Sequence, residues 1–459
     1  MTPNESTTAH VLRLERDDPP HEASPPKVRI EAVERLGGDG PRLRAAAIDR
    51  PGVGDEWPGT SLPIAGWALG TGVPAVAVDF VHEGRVIRKT PLAMRREDVV
   101  ARFEGEPIRP RCGFRASVGM LGLPSPCDLD VRVVFDDGSI EPLARVRATH
   151  TPLPPTSVSR WTPLALTTLG RTGSTWLMRL LREHPQIAVH GGYPYETRAA
   201  AYWLHMVGVL ASPANTLQSS HPDAFPDDLW TIGHHPFNGE SLAPESSLRR
   251  WFAAGYPAHV AELARVSIDD FYDRVTEDLG KPGATRFAEK LTPGQVPRLM
   301  WEIYPAAGEI ILVRDFRDMA CSILAFNEKR GFVAFGRENV DSDARFIADN
   351  LASGANALLA AWRERSDRAR LVRYEDLVLD PVPTLAALYE GLGLASDPDL
   401  VRDSVARASG REGAMERHRT SRNPAASIGR WRDELDPGLV DVCRTAFGEA
   451  LEAFGYDLE

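Results

Sequence analysis

The chain has 459 residues, which is too long for one ordinary domain and predicts two or three. Its 43% hydrophobic and 25% charged content is typical of a soluble globular protein. The formal net charge of -11 argues against nucleic-acid binding by bulk electrostatics, so we expect no nucleic-acid partner, although a local basic pocket is compatible with it.

The cysteines and the apolar runs bear on the cellular compartment of the protein. Its cysteines are Cys112, Cys127, Cys321 and Cys443, and they form neither a CxxC pair nor a metal-ligand spacing, which favours a reducing compartment. The start, MTPNESTTAH, lacks the basic residues and apolar core of a signal peptide. No apolar run approaches the ~18 residues of a membrane span, so we expect no transmembrane segment and a cytoplasmic location. The oligomeric state stays open, a homo-oligomer included.

The first third of the chain predicts a disordered tail followed by an all-β domain. Residues 1–26 are polar, charged and Pro-rich, as disordered tails are. Over residues 27–150, short runs such as LPIAGWALG and LDVRVVFDDGSIEPLARVRAT largely alternate apolar and polar residues, with hairpin turns predicted at 83–84 and 136–139. We expect an antiparallel, sandwich-like accessory domain here, and a Pro-rich linker over residues 151–159.

From residue 160 to residue 459 the pattern predicts an α/β domain. Apolar strands alternate with helical periodicities, as in PLALTTL before STWLMRLLREHP and GEIILVR before DMACSILAFNEKRG. That alternation is typical of a parallel sheet with flanking helices. The less regular stretch at about 200–283, rich in aromatic residues, Pro and His, is interpreted as an insertion that covers one end of the sheet and shapes a substrate pocket.

The stretch TTLGRTGSTWLMRLL, residues 167–181, has the layout of an anion-binding turn between a strand and a helix. We predict the strand over 164–169 and the helix over 174–184. Glycines let the backbone turn tightly and approach a ligand, a cation attracts an anion, and hydroxyl groups donate hydrogen bonds. The residues of these types are Gly170, Arg171, Thr172, Gly173, Ser174 and Thr175.

This turn is not a nucleoside-triphosphate loop of the pattern GxxxxGK[ST]. Ser174 follows Gly173 where that pattern requires Lys, and Thr168 stands where its first Gly should be. The dinucleotide pattern GxGxxG also fails. The alternative is a strand-to-helix turn that is capped by Ser and Thr and binds no ligand.

A second anion-binding element is predicted in EIILVRDFRDMACSILAF, residues 309–326. Arg314 ends a buried strand there, and Ser322 follows eight positions later on the next helix. Ligands of open α/β sheets bind at the carboxyl ends of strands, so both side chains can meet one phosphate beside the first loop. In the alternative, Arg314 pairs with Asp318 and Ser322 is a small packing residue.

These segments together resemble the sulfotransferases that use 3′-phosphoadenosine 5′-phosphosulfate (PAPS). GRTGSTW is similar to the family's 5′-phosphosulfate loop, VRDFRDMACS to its 3′-phosphate segment, and RFAEKLTPG and VRYEDL to two further segments in the same order. The resemblance covers roughly residues 164–431, without the insertion and without the β domain. It implies a P-loop-like α/β fold, PAPS as the sulfuryl donor, and no metal.

The resemblance also implies roles for single residues. Arg171 takes the place of the loop cation that contacts the phosphosulfate, and Trp176 that of an aromatic residue stacking on adenine. Arg314 and Ser322 match the 3′-phosphate ligands, and Lys290 matches a lysine that stabilises charge near the transferred group. The residues of the loop that wrap the 5′-phosphate are Gly173, Ser174 and Thr175. SIGRWRDEL resembles the segment that closes over the cofactor, which makes Ser427 and Arg430 candidate contacts.

The acceptor hydroxyl must lose its proton to a base. In many cytosolic members a His lies two residues after the second Lys, but here that position is Thr292. Some members carry the base as the Glu of an ETR segment, which makes Glu196 the candidate here. The alternative bases are His190, His234 and His235.

Two other classes of function stay open. The first is a P-loop-type kinase or nucleotide hydrolase, against which the missing loop Lys argues. The second is a non-catalytic binding protein whose β domain recognises a glycan or a partner. If the chain is a sulfotransferase, the expected acceptor is a small molecule or glycan, such as a glycoside, a lipid or a natural-product hydroxyl, or an amine.

Overall fold

The computed structural model describes residues 25–37, 40–103, 108–154, 157–213, 246–409, 420 and 423–458. The predicted tail over residues 1–26 lies almost entirely outside them, as do His234 and His235. The described residues form two antiparallel sheets before residue 151 and one parallel sheet after residue 163.

Strands of the first part pair into one six-stranded and one four-stranded antiparallel sheet. The six-stranded order is β3-β1-β10-β9-β5-β6, and the four-stranded order is β2-β4-β8-β7. The elements are β1 (Lys27–Arg35), β2 (Leu43–Arg50), β3 (Glu56–Pro58), β4 (Ser61–Gly70), β5 (Ala75–His82), β6 (Arg85–Pro91), β7 (Met94–Arg95), α1 (Glu97–Arg102), β8 (Arg111–Gly119), β9 (Cys127–Phe135) and β10 (Ile140–His150).

The two antiparallel sheets share one hydrophobic core. Their strands alternate buried and less buried residues because successive side chains leave opposite faces of a strand. Val131 of the first sheet and Ile64 of the second belong to the same buried cluster, and the rings of Phe80 and Phe114 meet across it at 6.2 Å. The predicted hairpins are confirmed, because β5 pairs with β6 and β9 with β10 around turns at 83–84 and 136–139.

The second part is built on a five-stranded sheet in which every strand pair is parallel. The order is β12-β13-β11-β14-β15, which places β11 in the centre with β13 and β14 beside it. The carboxyl ends of these strands therefore meet at one edge of the sheet. The strands are β11 (Leu164–Thr168), β12 (Ile187–Ala188), β13 (Arg286–Leu291), β14 (Gly308–Val313) and β15 (Ala369–Arg373).

Helices cover both faces of this sheet, and none of the described ones is long and apolar enough to cross a membrane. Short 3-10 helices span Arg337–Asn339 and Ala425–Ser427, and π-helical turns span Trp251–Gly255 and Phe346–Leu351. The α-helices are α2 (Ser174–Glu183), α3 (Ala199–Leu210), α4 (Ser247–Arg250), α5 (Tyr256–Leu279), α6 (Gln295–Ile303), α7 (Phe316–Arg330), α8 (Asp343–Arg345), α9 (Ala352–Arg365), α10 (Tyr374–Leu379), α11 (Pro381–Gly391), α12 (Pro398–Ala408), α13 (Trp431–Glu434) and α14 (Pro437–Ala453).

The stretch at about 200–283 contributes more to the core than an insertion would. Its described ends contain α3 and α5, and Leu204 and Ile268 of these helices share a buried cluster with Phe287 of β13. Both helices lie in the connection between the neighbouring parallel strands β12 and β13. They are therefore crossover helices of the sheet. Residues 214–245 lie outside the described residues.

The β domain is fixed against the α/β domain through helix α6. The amide of Gln295 donates to the carbonyl of Leu121 at 2.9 Å. The buried guanidinium of Arg298 lies 3.2 Å from Glu83 of the β domain and 2.6 Å from Glu364 of α9. A buried cation between carboxylates of both domains fixes their relative position.

Candidate active site at the carboxyl edge of the parallel sheet

A cavity of about 580 Å³ opens where β11, β14 and β15 end. This edge is where ligands of open α/β sheets bind. The predicted site residues that line it are Gly170, Arg171, Gly173, Ser174, Thr175, Trp176, Glu196, Arg314, Ser322 and Ser427.

The turn between β11 and α2 has the geometry of an anion-binding loop. Gly173 precedes the helix with a φ of 87°, and no side chain among the described residues caps the helix start. A Cβ at Gly173 would lie 2.3 Å from the ring of Tyr374, so only glycine fits there. The free amides of the first turn and the helix dipole therefore face the cavity at Ser174 and Thr175.

The structure corrects the prediction that the Thr172 hydroxyl donates to a bound anion. Its side chain is fully buried, and its hydroxyl lies 2.6 Å from that of Thr168 and 2.9 Å from the carbonyl of Leu169. It does not line the cavity. The hydroxyl therefore fixes the shape of the turn and is not available to an anion.

Arg314 and Ser322 lie beside the loop, as their spacing predicts. Arg314 follows β14, and its guanidinium donates to the carbonyls of Arg171 at 3.1 Å and Ser427 at 2.6 Å. Its Nε is buried and has no hydrogen-bond partner among the described residues. Ser322 lies on α7, and Arg171 donates through Nε to its hydroxyl at 3.2 Å. Two cations and a hydroxyl group thus converge at one end of the cavity.

The alternative pairing of Arg314 with Asp318 is not what the structure has. Asp318 accepts the backbone N–H groups of Gly429 at 2.7 Å and Trp431 at 3.0 Å. Burial raises the pKa of its carboxyl to about 6, while these two donors favour the ionised form. Asp318 therefore ties the carboxyl-terminal segment to α7, and Arg314 is left to face the cavity.

Ser427 and Arg430 of that segment have different surroundings. The Ser427 hydroxyl lies at the cavity, 3.1 Å from that of Tyr374. Arg430 does not line the cavity, because its Nε donates to Glu434 at 2.8 Å and its Nη1 to Thr420 at 3.1 Å. The prediction that Arg430 contacts a cofactor is thus corrected, because the side chain holds the closing segment together.

A lysine and a glutamate form the other end of the site. Lys290 is buried on β13, and its ammonium donates to the Thr175 hydroxyl at 2.9 Å and the Pro194 carbonyl at 2.6 Å. It lies 3.5 Å from the carboxylate of Glu196, which is 54% exposed. Lys290 does not line the cavity itself, but it reaches the cavity wall through Thr175 and Glu196.

The surroundings of Lys290 lower its pKa to about 8. Burial is the main cause, because it disfavours the charged form, and the carboxylate of Glu196 acts in the opposite direction. A lysine with such a pKa gives up a proton near neutral pH far more readily than an exposed one. An amine with a lowered pKa and a carboxylate on the cavity wall are therefore in contact.

The rival base His190 lies elsewhere. Its ring packs edge-on against Phe271 at 5.0 Å, and it is absent from the cavity wall. His234 and His235 lie outside the described residues. Within the described part of the chain, no group of three His, Cys, Asp or Glu side chains could hold a metal ion.

Tyr374 is the residue that the sequence analysis missed. It lines the cavity, packs on Gly173, and its ring lies 4.6 Å from the guanidinium of Arg314. Its neighbour Glu375 accepts the amide N–H of Asp315 at 3.0 Å. The signal that identifies Tyr374 is its place directly after β15, at the same sheet edge as Arg314.

Comparisons with known proteins select the same region. A sequence profile of the Sulfotransferase family matches residues 163–398. Carbohydrate sulfotransferase 5 of Mus musculus is 34% identical over 93 residues, which is 20% of this chain and 24% of that protein. Carbohydrate sulfotransferase 1 of Danio rerio is 33% identical over 157 residues, which is 32% of this chain and 37% of that protein.

The chain thus spans only 24% of the length of the Mus musculus relative and 37% of the length of the Danio rerio relative. Among solved structures, the sulfotransferase domain from the Synechococcus PCC 7002 olefin synthase is similar at 18% identity and a TM-score of 0.39. That similarity covers 67% of this chain and 100% of the other.

The family match does not depend on these shorter or weaker similarities. Its span contains the turn after β11, Lys290 of β13, and Arg314 with Ser322 after β14, so the profile and the geometry select the same residues. Because the profile covers 236 of the 459 residues, the chain belongs to the sulfotransferase family.

Proposed function

We propose that the protein transfers the sulfuryl group of PAPS to an acceptor hydroxyl, or to an amine, by in-line displacement. The observation that carries this proposal is one cavity with two anion-binding elements on adjacent parallel strands. The turn before α2 follows β11, and Arg314 follows the neighbouring strand β14. Such a site suits a nucleotide that carries phosphate groups at two ends.

The described residues fit this donor. The amides at the start of α2 would hold the 5′-phosphosulfate, and Arg314 with Ser322 would hold the 3′-phosphate. A buried polar atom without a partner costs about 1–3 kcal/mol, so the unpartnered Nε of Arg314 favours a ligand there. Trp176 lines the same cavity and offers a ring for adenine. The volume of about 580 Å³ also lies in the range of small-molecule sites.

PAPS supplies the sulfuryl group when bound, and this chain supplies position, a base and a cation. Glu196 takes the proton of the acceptor hydroxyl as its oxygen forms the new bond to sulfur. Lys290 stabilises the negative charge that grows on the oxygen leaving sulfur, and its contact with Thr175 holds it at the loop. As in phosphoryl transfer, positioning and charge stabilisation carry most of the catalysis.

The proposal extends to the acceptor, the β domain and the cellular location. A glycoside is the first acceptor to examine, because the two curated relatives are named carbohydrate sulfotransferases. Lipid and natural-product hydroxyl groups follow. We also propose that the two antiparallel sheets form a sandwich-like accessory domain, because they share one core. A cytoplasmic location stays a prediction.

Calorimetric titration with adenosine 3′,5′-bisphosphate (PAP), the desulfonated donor, tests the proposal. We expect PAP to bind more tightly than ADP or ATP. Arg314→Ala should weaken PAP by about 10–100-fold, because a charged hydrogen-bonding group is lost. Arg370→Ala is the matched control, since that guanidinium donates to the Gly391 carbonyl and does not line the cavity. Preference for ATP, or no binding of PAP, would contradict the proposal and favour a kinase or a binding protein.

A further inference from the structure

We propose that Glu289 is a positioning residue for the transfer reaction, because it holds the segment that carries the base Glu196 and thereby fixes that base beside Lys290. This inference rests on the proposed function, since it names a residue that acts through the proposed base. Glu289 is buried and does not line the cavity, so it is assigned no contact with donor or acceptor.

Consecutive residues of β13 reach this segment from opposite faces of the sheet. Side chains alternate along a strand, so Glu289 and Lys290 leave opposite faces. Phe287 lies two residues before Glu289 and belongs to the buried cluster that contains α3. Ala288 lies two residues before Lys290 and belongs to the cluster that contains α2. Glu289 therefore faces α3, and Lys290 faces α2.

The two side chains hold both ends of a short stretch of chain. The lysine that follows Glu289 donates to the carbonyl of Pro194 at 2.6 Å. The carboxylate of Glu289 accepts the backbone N–H groups of Ala200 at 2.7 Å and Ala201 at 3.1 Å, at the start of α3. Glu196 lies between these attachment points, which are separated by only five residues. A stretch this short has little freedom once both of its ends are fixed.

The backbone next to Glu196 depends on such support. Tyr195 is buried and has a φ of 60°, in the left-handed region that is unfavourable for residues other than glycine. Its amide N–H donates to the carbonyl of Gly192 at 2.8 Å, which closes a turn directly before Glu196. Strained backbone persists only where its surroundings hold it, and it is common at active sites. The hydrogen bonds at both ends of the segment supply that support.

A carboxylate suits the three donors that converge on Glu289. Besides the two backbone amides, the hydroxyl of Tyr272 donates to it at 2.6 Å. The side chain of Gln would turn an NH₂ group toward one of these donors. Burial raises the pKa of the Glu289 carboxyl, and the three hydrogen bonds oppose that rise. Burying a carboxylate is costly, and packing of a strand alone does not require it. The position is thus specialised for holding the start of α3.

A second buried carboxylate offers a matched control. Glu309 of β14 lies at the same level of the sheet, because Ala165 of β11 pairs with both Glu289 and Glu309. Its carboxylate accepts from Arg365 at 2.8 Å and from the hydroxyl of Thr167. None of its hydrogen bonds among the described residues reaches the segment that carries the base. Replacing Glu309 therefore removes a buried carboxylate without a change at the base.

The test is a double-mutant cycle on the rate of sulfuryl transfer. Glu289→Gln, Tyr272→Phe and Glu309→Gln are each made in the wild type and in Glu196→Gln. Initial rates are measured with sulfur-labelled PAPS and with methyl glucoside, phenol, dodecanol and benzylamine as separate acceptors. The value of kcat is compared for the acceptor that gains most label. Calorimetry gives the affinity for PAP, and thermal melting shows whether each variant is folded.

We expect Glu289→Gln to lower kcat by about 10–100-fold, because a misplaced base loses its alignment with the acceptor. Tyr272→Phe keeps the carboxylate and removes one donor, so kcat should fall by roughly three- to tenfold. The affinity for PAP should change less than about twofold in both variants. In Glu196→Gln, the same changes should lower kcat by less than about threefold, since no base remains to be positioned. Glu309→Gln should lower the melting temperature and change kcat by less than about threefold in either background.

Equal losses of kcat in the two backgrounds would overturn the inference, because Glu289 would then act without Glu196. A fall in PAP affinity as large as the fall in kcat would place the effect at the donor. The same pattern in Glu309→Gln would assign it to the loss of any buried carboxylate. If Glu289→Gln melts below the assay temperature, Tyr272→Phe decides by the same criteria. A wild type that binds no PAP and labels none of the acceptors would instead overturn the proposed function, and the inference with it.

Discussion

Replacing Glu196 by Gln removes the proposed base and keeps the size of the side chain. The carboxylate lies 3.5 Å from the ammonium of Lys290, at the wall of the cavity. We expect kcat/KM for sulfuryl transfer to fall by about 10²–10⁴, the usual contribution of a general base. The affinity for PAP should change less than about twofold, because Glu196 is not among the phosphate-binding groups proposed above.

The same change should shift the pH dependence of the remaining activity. Burial lowers the pKa of Lys290 from 10.5 to about 8, and the charge of Glu196 raises it. Lys290 must be protonated to stabilise the leaving oxygen, so the wild-type rate should fall as pH rises through about 8. Without Glu196, the effect of burial is less opposed, and the fall should begin at lower pH.

The size of this shift follows from the exposure of the pair. Glu196 is 54% exposed, so solvent screens it, and such a pair is worth about 0.5–1 kcal/mol. Since one pKa unit corresponds to about 1.4 kcal/mol, the alkaline limb should move down by roughly half a unit.

Initial rates at saturating PAPS over about pH 6–10, with PAP titrations in parallel, test both parts of the prediction. Glu183→Gln is the matched control, because that carboxylate pairs with Arg407 at 3.0 Å, away from the cavity wall. A rate loss below tenfold in Glu196→Gln would refute the role of the base. A limb that does not move, or moves upward, would refute the proposed coupling to Lys290.

Three further substitutions distinguish residues that stabilise the fold from a residue that acts in catalysis. Gly173→Ala should lower the free energy of unfolding by about 2–4 kcal/mol, because a Cβ there adds positive-φ strain and a clash with an aromatic ring. Gly192 has open space around it, so Gly192→Ala should lower the free energy of unfolding by less than about 1 kcal/mol. Urea titrations measure both, and equal losses would contradict this prediction. Arg298→Ala should lower the free energy of unfolding by roughly 2–3 kcal/mol, because two carboxylates lose their buried cation. Arg363→Ala breaks an exposed ion pair and should lower it by less than about 1 kcal/mol. Similar values for the two variants would contradict the role of Arg298 in joining the two domains. Lys290→Ala should reduce kcat by about 10²–10³ with PAP affinity retained, and an unchanged kcat would exclude its role.

The parts of the site that the sequence predicts are those set by local structure. A strand over 164–169 and a helix that begins at Ser174 follow from the order of apolar, glycine and helical positions, and the structure has the strand at Leu164–Thr168 and the helix at Ser174–Glu183. Arg314 and Ser322 reach the same cavity because parallel strands end at one edge of a sheet.

What the sequence does not predict depends on contacts between distant segments. Thr172 turns inward because its hydroxyl donates to the carbonyl of Leu169 and shares a hydrogen bond with the hydroxyl of Thr168. Arg430 turns away because Glu434 lies one helical turn later and accepts from its guanidinium. Spacing along the chain predicts where the backbone of a residue lies in the fold. It does not predict which partner the side chain contacts. Tyr374 was missed for the same reason, since its role depends on the distant Gly173.

The stretch at about 200–283 was predicted as an insertion because its aromatic residues, prolines and histidines obscure the helical period. In the structure, α3 and α5 lie at its ends, and Glu289 of β13 accepts the amides of Ala200 at 2.7 Å and Ala201 at 3.1 Å. A buried carboxylate from a distant strand thus caps α3, which sequence periodicity alone does not reveal.

The most direct test of the central claim is transfer of label from PAPS. Purified protein is incubated with sulfur-labelled PAPS and separate glycoside, phenol, lipid-alcohol and amine acceptors, and acceptor-bound label is counted against Arg314→Ala and Glu196→Gln. We predict label in at least one acceptor class with the wild type, and strongly reduced label with both variants. Label that stays on PAPS at the level of Arg314→Ala, while the same acceptors gain phosphate from ATP, would contradict sulfuryl transfer and identify a kinase.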